Sequence, residues 1–183
     1  LGYEVIVFGQ KSYNGVAIIS RLEMGNISKG FCKDLTNQDA IKKFAEQKRL
    51  ISAVVNGITI VNVYVPNGSS LNSQKFDYKI QWLDCLASFL DKQEEKGNLI
   101  CLLGDFNIAP SNIDIHNPEK YEGGIMASEI ERNSLKNVLK ARLIDTFRIY
   151  EKNTGHWSWW DYRNNSFELN KGWRIDHIYI SNS

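Results

Sequence analysis

The sequence lacks three features that would each have indicated a class of protein. Only three of its 183 residues are cysteine, and they are scattered without the spacing of a zinc site. An odd, scattered count argues against a disulfide framework and favours a reducing compartment. The chain also has no apolar run long enough to span a bilayer. These absences exclude cysteine-type zinc modules, disulfide-stapled scaffolds and membrane-spanning helices as interpretations.

The chain also lacks an excess of either charge. It carries 22 Lys and Arg against 21 Asp and Glu, so its net charge is +1. A global cationic field is therefore absent, and any nucleic-acid partner would have to be held by local positive charge. A length of 183 residues with 43% hydrophobic residues fits one domain with a substantial core. We therefore expect a single domain over residues 1–183.

The pattern of apolar residues predicts a mixed α/β protein. Strands are predicted over residues 3–8, 16–20, 49–55, 58–65, 99–103 and 175–180. Helices are predicted over residues 78–92 and 128–139, the second with a capping box between Ser128 and Glu131. Asn56-Gly57 between two β-rich runs is a strong hairpin signal, whereas residues 112–124 look like a loop. Sheet layers with helices outside are the packing that this order favours.

The stretch Gly-Asp-Phe-Asn at residues 104–107 is the strongest functional signal. It follows a run that is typical of a buried strand, so Asp105 and Asn107 project the same way where that strand ends. Two oxygen ligands at a strand end suit Mg²⁺ and a phosphate better than zinc. The alternative is an Asp-Phe-Asn turn that only caps the next element.

Four other residues have both a functional and a plain structural interpretation. Asp176 lies on a different strand, and it could instead be a surface residue paired with Arg174. Tyr64 could be a packing aromatic, and Asn67 could serve only its Pro-Asn-Gly turn. His177 is a weak candidate for a general base because it should face away from Asp176.

The C-terminal third is unusually rich in aromatic residues. Trp157, Trp159, Trp160, Tyr162 and Trp173 lie within 17 residues of one another. A core role explains some of them. Alternation along residues 157–162 would bury one face and leave the other free to stack on bases.

Several segments together resemble one enzyme family. They are residues 9–17, 64–68, 103–110, 145–148, 157–163 and 172–176, and their order and spacing cover nearly the whole chain. This set resembles exonuclease III and its abasic-site endonuclease relatives, of the endonuclease/exonuclease/phosphatase superfamily. Gly-Asp-x-Asn is common to the superfamily, whereas Trp-Asp-Tyr-Arg at 160–163 and Gly-Trp-Arg-Ile-Asp at 172–176 select the DNA-repair branch. The resemblance implies a four-layer α/β sandwich of DNase I-like type, incomplete at both ends here.

The resemblance also implies roles for individual residues at the reacting phosphate. Asp105 would orient or deprotonate the attacking water, and Asn107 would hold the phosphate near a metal ion. Tyr64 would stabilise the transition state, with Asn67 as a phosphate contact beside it. Asp176 would orient a catalytic histidine. Asp105 and Asn107 are the expected metal ligands, for Mg²⁺ or alternatively Mn²⁺.

Substrate selection is implied for the aromatic region. Trp159, Trp173 and Ile175 would line a pocket for the extruded abasic sugar. The expected partner is double-stranded DNA with abasic sites or 3′ ends, bound by a monomer in the cytoplasm of a bacterial-type cell, at the nucleoid.

The family pattern also includes two catalytic groups that are not found in this sequence. One is a metal-binding Glu on an N-terminal strand, and the other is a His in a C-terminal Ser-Asp-His segment. We therefore expect a fragment of a longer enzyme that is inactive, or nearly so, by itself. The alternatives are a catalytically dead DNA-binding module and another phosphoesterase of the superfamily.

Overall fold

The computed structural model describes residues 2–31 and 38–182, which contain ten strands and five α-helices. The strands are β1 Glu4–Gly9, β2 Gly15–Ser20, β3 Met24–Lys29, β4 Leu50–Val55, β5 Ile58–Tyr64, β6 Leu99–Asp105, β7 Leu143–Asp145, β8 Trp159–Trp160, β9 Gly172–Trp173 and β10 Asp176–Ser181. The helices are α1 Gln38–Ala45, α2 Gln74–Glu95, α3 Pro118–Tyr121, α4 Glu129–Leu139 and α5 Thr146–Tyr150, with 3₁₀ turns at Asn112–Asp114 and Lys140–Arg142.

Six strands form the main sheet, in the order β3-β4-β5-β6-β10-β7. Only β5 and β6 pair in parallel, and α2 makes the crossover between them. The predicted hairpin joins β4 and β5 through Asn56 and Gly57, whose φ angles of 49° and 79° are those of a tight hairpin turn. The strands β5, β6 and β10 therefore lie side by side at the centre of the sheet.

The two faces of the main sheet are covered differently. On one face, Val61, Val63 and Leu102 pack with the buried side chains Trp82 and Leu86 of α2. On the other face, the β1–β2 hairpin buries Val16 and Ile18 against Ile51 and Ala53. The molecule thus has a helical layer, a six-stranded sheet and a two-stranded layer, as the mixed α/β prediction required.

The predicted elements are present, with differences mainly at their ends. Helix α2 begins at residue 74 rather than 78, because the Ser73 side chain accepts a hydrogen bond from the Phe76 amide and caps it. The capping box between Ser128 and Glu131 is confirmed. The prediction missed β3, α1, β7, β9 and α5, and it missed the short helical turns within residues 112–124. Among the described residues, no helix has the length and apolar character needed to cross a membrane.

Candidate active site

The sheet brings three of the predicted site residues into one row. Tyr64 is the register partner of Asp105 across β5 and β6, and Asp105 is the partner of Asp176 across β6 and β10. Residues directly opposite each other on neighbouring strands share a face of the sheet. Three side chains that are far apart in sequence therefore lie next to one another where their strands end or begin.

Gly104 is required for this close pairing of β5 and β6. Its φ of 131° is a conformation that other residues rarely adopt, and a Cβ atom there would lie 2.0 Å from the Val63 carbonyl oxygen. The glycine directly before Asp105 thus lets the two backbones approach.

Two asparagines extend the row into the loops that follow β5 and β6. The Asn67 Nδ2 group donates to Asn107 Oδ1 at 3.0 Å. The Asn107 Nδ2 group donates to Asp105 Oδ2 at 3.0 Å and to the Val65 carbonyl at 3.0 Å, while its backbone N–H donates to Asp105 Oδ1 at 2.8 Å. Asp105, Asn107 and Asn67 therefore form one continuous hydrogen-bonded chain.

The two carboxylates of the row are adjacent, and neither has a salt-bridge partner in the described part of the chain. Within residues 2–31 and 38–182, neither Asp105 nor Asp176 forms a salt bridge. Burial raises the pKa of Asp105 to about 6, and the charge of Asp176 adds to the shift, although the hydrogen bond from the Asn107 N–H and the nearby charges of Lys79 and Arg49 oppose it. Partial desolvation also raises the pKa of Asp176, offset in part by a hydrogen bond with Ser158. The row thus holds two neighbouring carboxylates that no cation of the described chain pairs directly.

The donor set of the row suits a hard cation but is small. Asp105 and Asp176 offer carboxylate oxygens, and Asn107 offers an amide oxygen, which are ligands of the kind that Mg²⁺ takes. The described part of the chain contains no group of three or more His, Cys, Asp or Glu side chains placed to hold a metal. These residues fit part of a magnesium site, with further ligands needed from water, phosphate or another segment.

Arg49 lies over Tyr64 and was not identified as part of the site from the sequence. Its guanidinium carbon is 4.6 Å from the centre of the Tyr64 ring, and its Nη1 donates to the Tyr64 carbonyl at 3.1 Å. A cation over the ring face is attracted by the ring electrons and holds the ring in place. Burial lowers the pKa of Arg49, and the nearby Tyr64, Tyr78 and Asp105 groups oppose that shift.

Arg174 does not pair with Asp176, so that structural interpretation of Asp176 is wrong. Arg174 is only 4% exposed. Its Nε donates to Asp114 Oδ1 at 2.7 Å and its Nη2 to Asp145 Oδ2 at 2.7 Å. The ion pairs with Asp114 and Asp145 hold Arg174 in the interior, between β9 and β10.

His177 faces away from Asp176, as the strand alternation predicted. It is 3% exposed, stacks on Phe106 with ring centres 5.1 Å apart, and has Nδ1 2.9 Å from the Tyr179 hydroxyl. Burial and the charge of Arg174 lower the pKa of His177 to about 4. The imidazole is therefore neutral at pH 7 and lies in the core rather than in the carboxylate row.

The structure brings together two of the aromatic residues that were predicted to bind substrate. Trp159 pairs with Trp173 across β8 and β9, and both line a cavity of about 550 Å³. Ile175 packs in the same apolar cluster as Trp173, is 2% exposed, and does not line that cavity. The Ser158 hydroxyl accepts hydrogen bonds from the Ile175 and Asp176 amides, both at 3.0 Å. Ser158 thereby ties the aromatic segment to the start of β10.

Sequence reasoning missed three residues that support the site, namely Lys79, Arg49 and Ser158. One of them, Lys79, did give a usable signal in the sequence. Lys79 occupies the apolar stripe of α2, three residues after Phe76 and four before Leu83, and it is fully buried. A lysine on a buried stripe needs a specific partner, which is a usable signal. Arg49 and Ser158 gave no such signal, because their contacts depend on how distant strands pair.

The sequence and the fold both match known nucleases. Residues 2–183 match the Endonuclease/Exonuclease/phosphatase family. The chain is 35% identical over 193 aligned positions to exodeoxyribonuclease III of Haemophilus influenzae, covering 99% of this chain and 69% of that protein. It is 31% identical to an exodeoxyribonuclease of Bacillus subtilis, covering 95% of this chain and 66% of that protein.

Solved structures agree with this assignment. A Neisseria 3′ phosphatase, solved with a product DNA hairpin, superposes with a TM-score of 0.88 at 38% identity, covering 98% of this chain and 67% of that chain. An AP endonuclease from Archaeoglobus fulgidus gives a TM-score of 0.84 at 34% identity, again with 98% and 67% coverage.

The chain therefore belongs to the exonuclease III/AP endonuclease family within the endonuclease/exonuclease/phosphatase superfamily. The predicted DNase I-like fold class is confirmed, and the chain spans about two thirds of the length of these relatives.

Proposed function

We propose that this chain is the central part of a divalent-metal-dependent DNA repair nuclease. The proposed reaction is hydrolysis of the phosphodiester 5′ of an abasic site, together with removal of nucleotides or blocking groups from 3′ ends. The observation that carries the proposal is the adjacent pair Asp105 and Asp176, which forms no salt bridge within the described residues and lies beside Tyr64. Carboxylates without an ion-pair partner at the end of a strand are a suitable place for a cation and a phosphate.

The hydrogen-bonded chain supports a division of roles. Asp105 would orient the attacking water and take its proton as a general base. The Asn67 and Asn107 amides would hold phosphate oxygens, and the Tyr64 hydroxyl would stabilise the transition state. Asp176 would orient a catalytic histidine from outside this chain. Phosphoryl transfer depends mostly on such positioning and charge stabilisation.

Mg²⁺ or Mn²⁺ bound at Asp105 and Asn107 would neutralise charge that develops on the phosphate. The chain alone supplies few carboxylates, so we propose that it cleaves DNA only weakly without the rest of the protein. Relatives named as exodeoxyribonuclease, 3′ phosphatase and AP endonuclease support double-stranded DNA as the partner. Action as a monomer in a bacterial-type cytoplasm is part of the same proposal.

Nicking of defined duplexes by the full-length protein tests the proposal. Three substrates separate the activities: a duplex with one abasic site, a duplex with a 3′ phosphate, and an undamaged duplex. With Mg²⁺ or Mn²⁺ we expect nicking of the first, release of phosphate from the second, and shortening of the third from its 3′ ends without internal nicks. We expect none of these in EDTA, and full recovery on adding back either metal without zinc. An Asp84→Asn variant serves as a control, because Asp84 is an exposed residue of α2 away from the row.

Two results would contradict the proposal. Full activity in EDTA would remove the metal from the mechanism. Tight binding of abasic duplex without any cleavage, by the full-length protein with metal present, would instead support the DNA-binding module.

A further inference from the structure

Lys79 is a fully buried lysine directly beneath the site. It lies on α2 among the core side chains, and both it and its partner Glu131 are 0% exposed. Burial lowers the pKa of Lys79, and the charge and hydrogen bond of Glu131 oppose that shift. A buried ion pair contributes little net stability compared with apolar residues of similar size. A role in packing alone therefore does not explain why a lysine occupies this position.

The ammonium group of Lys79 uses all three of its donors. It donates to Glu131 Oε1 at 2.5 Å, to the Asn107 carbonyl at 2.8 Å and to the Asn67 carbonyl at 3.2 Å. An ammonium group has three N–H donors and no acceptor. Its hydrogen-bonding capacity is thus filled by one carboxylate and two backbone carbonyls of site residues.

These two carbonyls belong to the loops that continue from the paired strands β5 and β6. Asn67 follows β5 and Asn107 follows β6, and beyond the strands the loops are joined by hydrogen bonds from Asn67 Nδ2 to Asn107 Oδ1 and from Asn107 Nδ2 to the Val65 carbonyl, both at 3.0 Å. Asn107 has a φ of 49°, a left-handed conformation that needs support from its surroundings. Gly68, with a φ of 89°, leaves space for the lysine, since a Cβ atom there would lie 3.1 Å from Lys79 Cδ. The loops are therefore shaped around the lysine side chain.

Glu131 anchors the lysine from the opposite side. Its Oε2 accepts hydrogen bonds from the Ser128 N–H at 3.2 Å and hydroxyl at 2.6 Å, and its Oε1 accepts from the Met126 N–H at 3.1 Å. These bonds fix Glu131 at the first turn of α4. The ammonium position is thereby set by two helices, and the two asparagine carbonyls are set by the ammonium.

We propose that Lys79 is a positioning residue for phosphodiester hydrolysis, which holds the Asn67 and Asn107 loops in register so that their amides meet the same phosphate. This inference rests on the proposed function of the row. Lys79 touches neither substrate nor reacting atoms. It acts through the backbones of the two asparagines, where a displacement near 1 Å can cost about 10²-fold in rate.

The experiment compares Lys79→Met, the double variant Lys79→Met/Glu131→Gln, and Lys92→Met in the full-length protein. Lys79→Met leaves Glu131 buried without its cation, so a loss of stability is expected. The double variant removes that charge and should regain most of the melting temperature. Lys92 is the matched control, because it lies on the same helix, its side chain is 40% exposed, and its salt bridge is with Glu95 at the surface.

The proposal is decided by whether the double variant recovers its melting temperature without recovering its kcat. We expect the double variant to melt close to the wild type while its kcat on abasic duplex stays about tenfold or more below it, with KM within about threefold. Lys92→Met should match the wild type in both. A double variant that regains kcat together with its melting temperature would overturn the proposal, because stability alone would then explain the effect.

Hydrogen exchange measured without substrate separates this proposal from the proposed function. The Asn107 N–H, bonded to Asp105 Oδ1, and the Ser69 N–H, bonded to Asn67 Oδ1, report on the two loops. We expect both to exchange faster in the double variant than in the wild type, with the β4 amides unchanged. Unchanged exchange at both loops would overturn the proposal. A wild-type protein without nuclease activity would refute the proposed function and leave this measurement valid.

Discussion

Asp105 and Asp114 are two desolvated carboxylates near the same end of the sheet, but their surroundings are opposite. Asp114 accepts from Arg174 Nε at 2.7 Å and from Arg148 Nη2 at 2.5 Å. Burial alone would raise its pKa, but these hydrogen bonds and charges hold the pKa of Asp114 below its ordinary value. Asp105 has no such partner, and its pKa rises to about 6 with Asp176 beside it.

The difference shows which carboxylate serves the fold and which is available for chemistry. A carboxylate that stabilises a fold is neutralised by cations of the protein, as Asp114 is by two arginines. A carboxylate kept beside another carboxylate makes the apoprotein less stable and favours a cation from solution. The contrast makes opposite predictions for the same Asp→Asn change at the two positions.

The largest expected effect is on the free energy of unfolding, at Asp114. Asp114→Asn should cost about 3–5 kcal/mol, because it neutralises the carboxylate that the buried Arg174 and the partly buried Arg148 share, although Arg174 keeps its ion pair with Asp145. Urea unfolding at pH 7 in EDTA measures this cost. Asp105→Asn should cost far less under the same conditions or even stabilise the protein. Equal losses of stability in the two variants would show that Asp105 and Asp114 do not differ in what they contribute to the stability of the fold.

The next largest effect is on catalysis, at Asp105 and Asp176. In the full-length protein, Asp105→Asn and Asp176→Asn should each lower kcat on abasic duplex by about 10²-fold or more, about 2.7 kcal/mol in the barrier. KM should change much less, since both groups are proposed to act in the transition state. Steady-state kinetics with Mg²⁺ measure both constants. A variant within a few-fold of the wild type, with Asp84→Asn as the neutral control, would remove that residue from the mechanism.

The Asp105 side of this contrast was predictable from the sequence, because it depends on local patterns. The buried run before Gly104, the Asn56-Gly57 turn and the alternation along β10 predicted the strands that carry Tyr64, Asp105 and Asp176. The residues of short elements such as β7 and β9 have too few positions to show a period, so they were not predicted.

The partners of the charged residues could not be predicted in the same way. Arg174 was weighed as a partner of Asp176, but it reaches Asp114 and Asp145, which are 60 and 29 residues distant. Such pairing depends on the strand order of the whole sheet and not on local spacing. The buried ion pair of Lys79 with Glu131 is distant by 52 residues for the same reason.

The pH dependence of stability should differ in sign between the two carboxylates. The folded-state pKa of Asp105, about 6, lies above its ordinary value of 3.8, so its contribution to stability is greatest below pH 3.8 and is lost as the pH rises through 6. The pKa of Asp114 is lowered, so its contribution is present above pH 3.8 and is lost as the pH falls below that value.

Unfolding in EDTA from pH 3.5 to 7.5 tests this difference. Relative to Asp105→Asn, the wild type should lose on the order of 2 kcal/mol as the pH rises from about 4 to about 7. Relative to Asp114→Asn, the advantage of the wild type should persist at neutral pH and shrink only in acid. Parallel curves for wild type and Asp105→Asn would show that the Asp105 carboxylate is not perturbed by its neighbours.

The smallest expected effect concerns substrate choice at the aromatic wall, by which we mean Trp159 and Trp173 where they line the cavity. Substitutions of these two residues do not test substrate choice equally well. Trp173 is 6% exposed and packs in a core cluster, so Trp173→Ala should lower the free energy of unfolding by about 3–5 kcal/mol. A change in selectivity could then not be separated from the loss of folded protein. Trp159 is only partly buried against that cluster and lines the cavity, so Trp159→Ala is the cleaner variant. An abasic sugar is slim and costs less to extrude than an intact nucleotide. If Trp159 narrows the cavity, its removal should admit intact nucleotides.

We therefore expect Trp159→Ala to reduce the ratio of abasic to undamaged duplex cleavage by up to about tenfold, or 1.4 kcal/mol, while the melting temperature shows a folded protein. The ratio is the informative quantity, because a general loss of activity lowers both rates and leaves the ratio unchanged. Phe167 provides the control, since it is 68% exposed and contacts Trp160 rather than the cavity. Phe167→Ala should preserve the ratio. An unchanged ratio in folded Trp159→Ala would mean that discrimination lies with the carboxylate row and its bound phosphate, and that the aromatic wall serves only to hold the start of β10 in place.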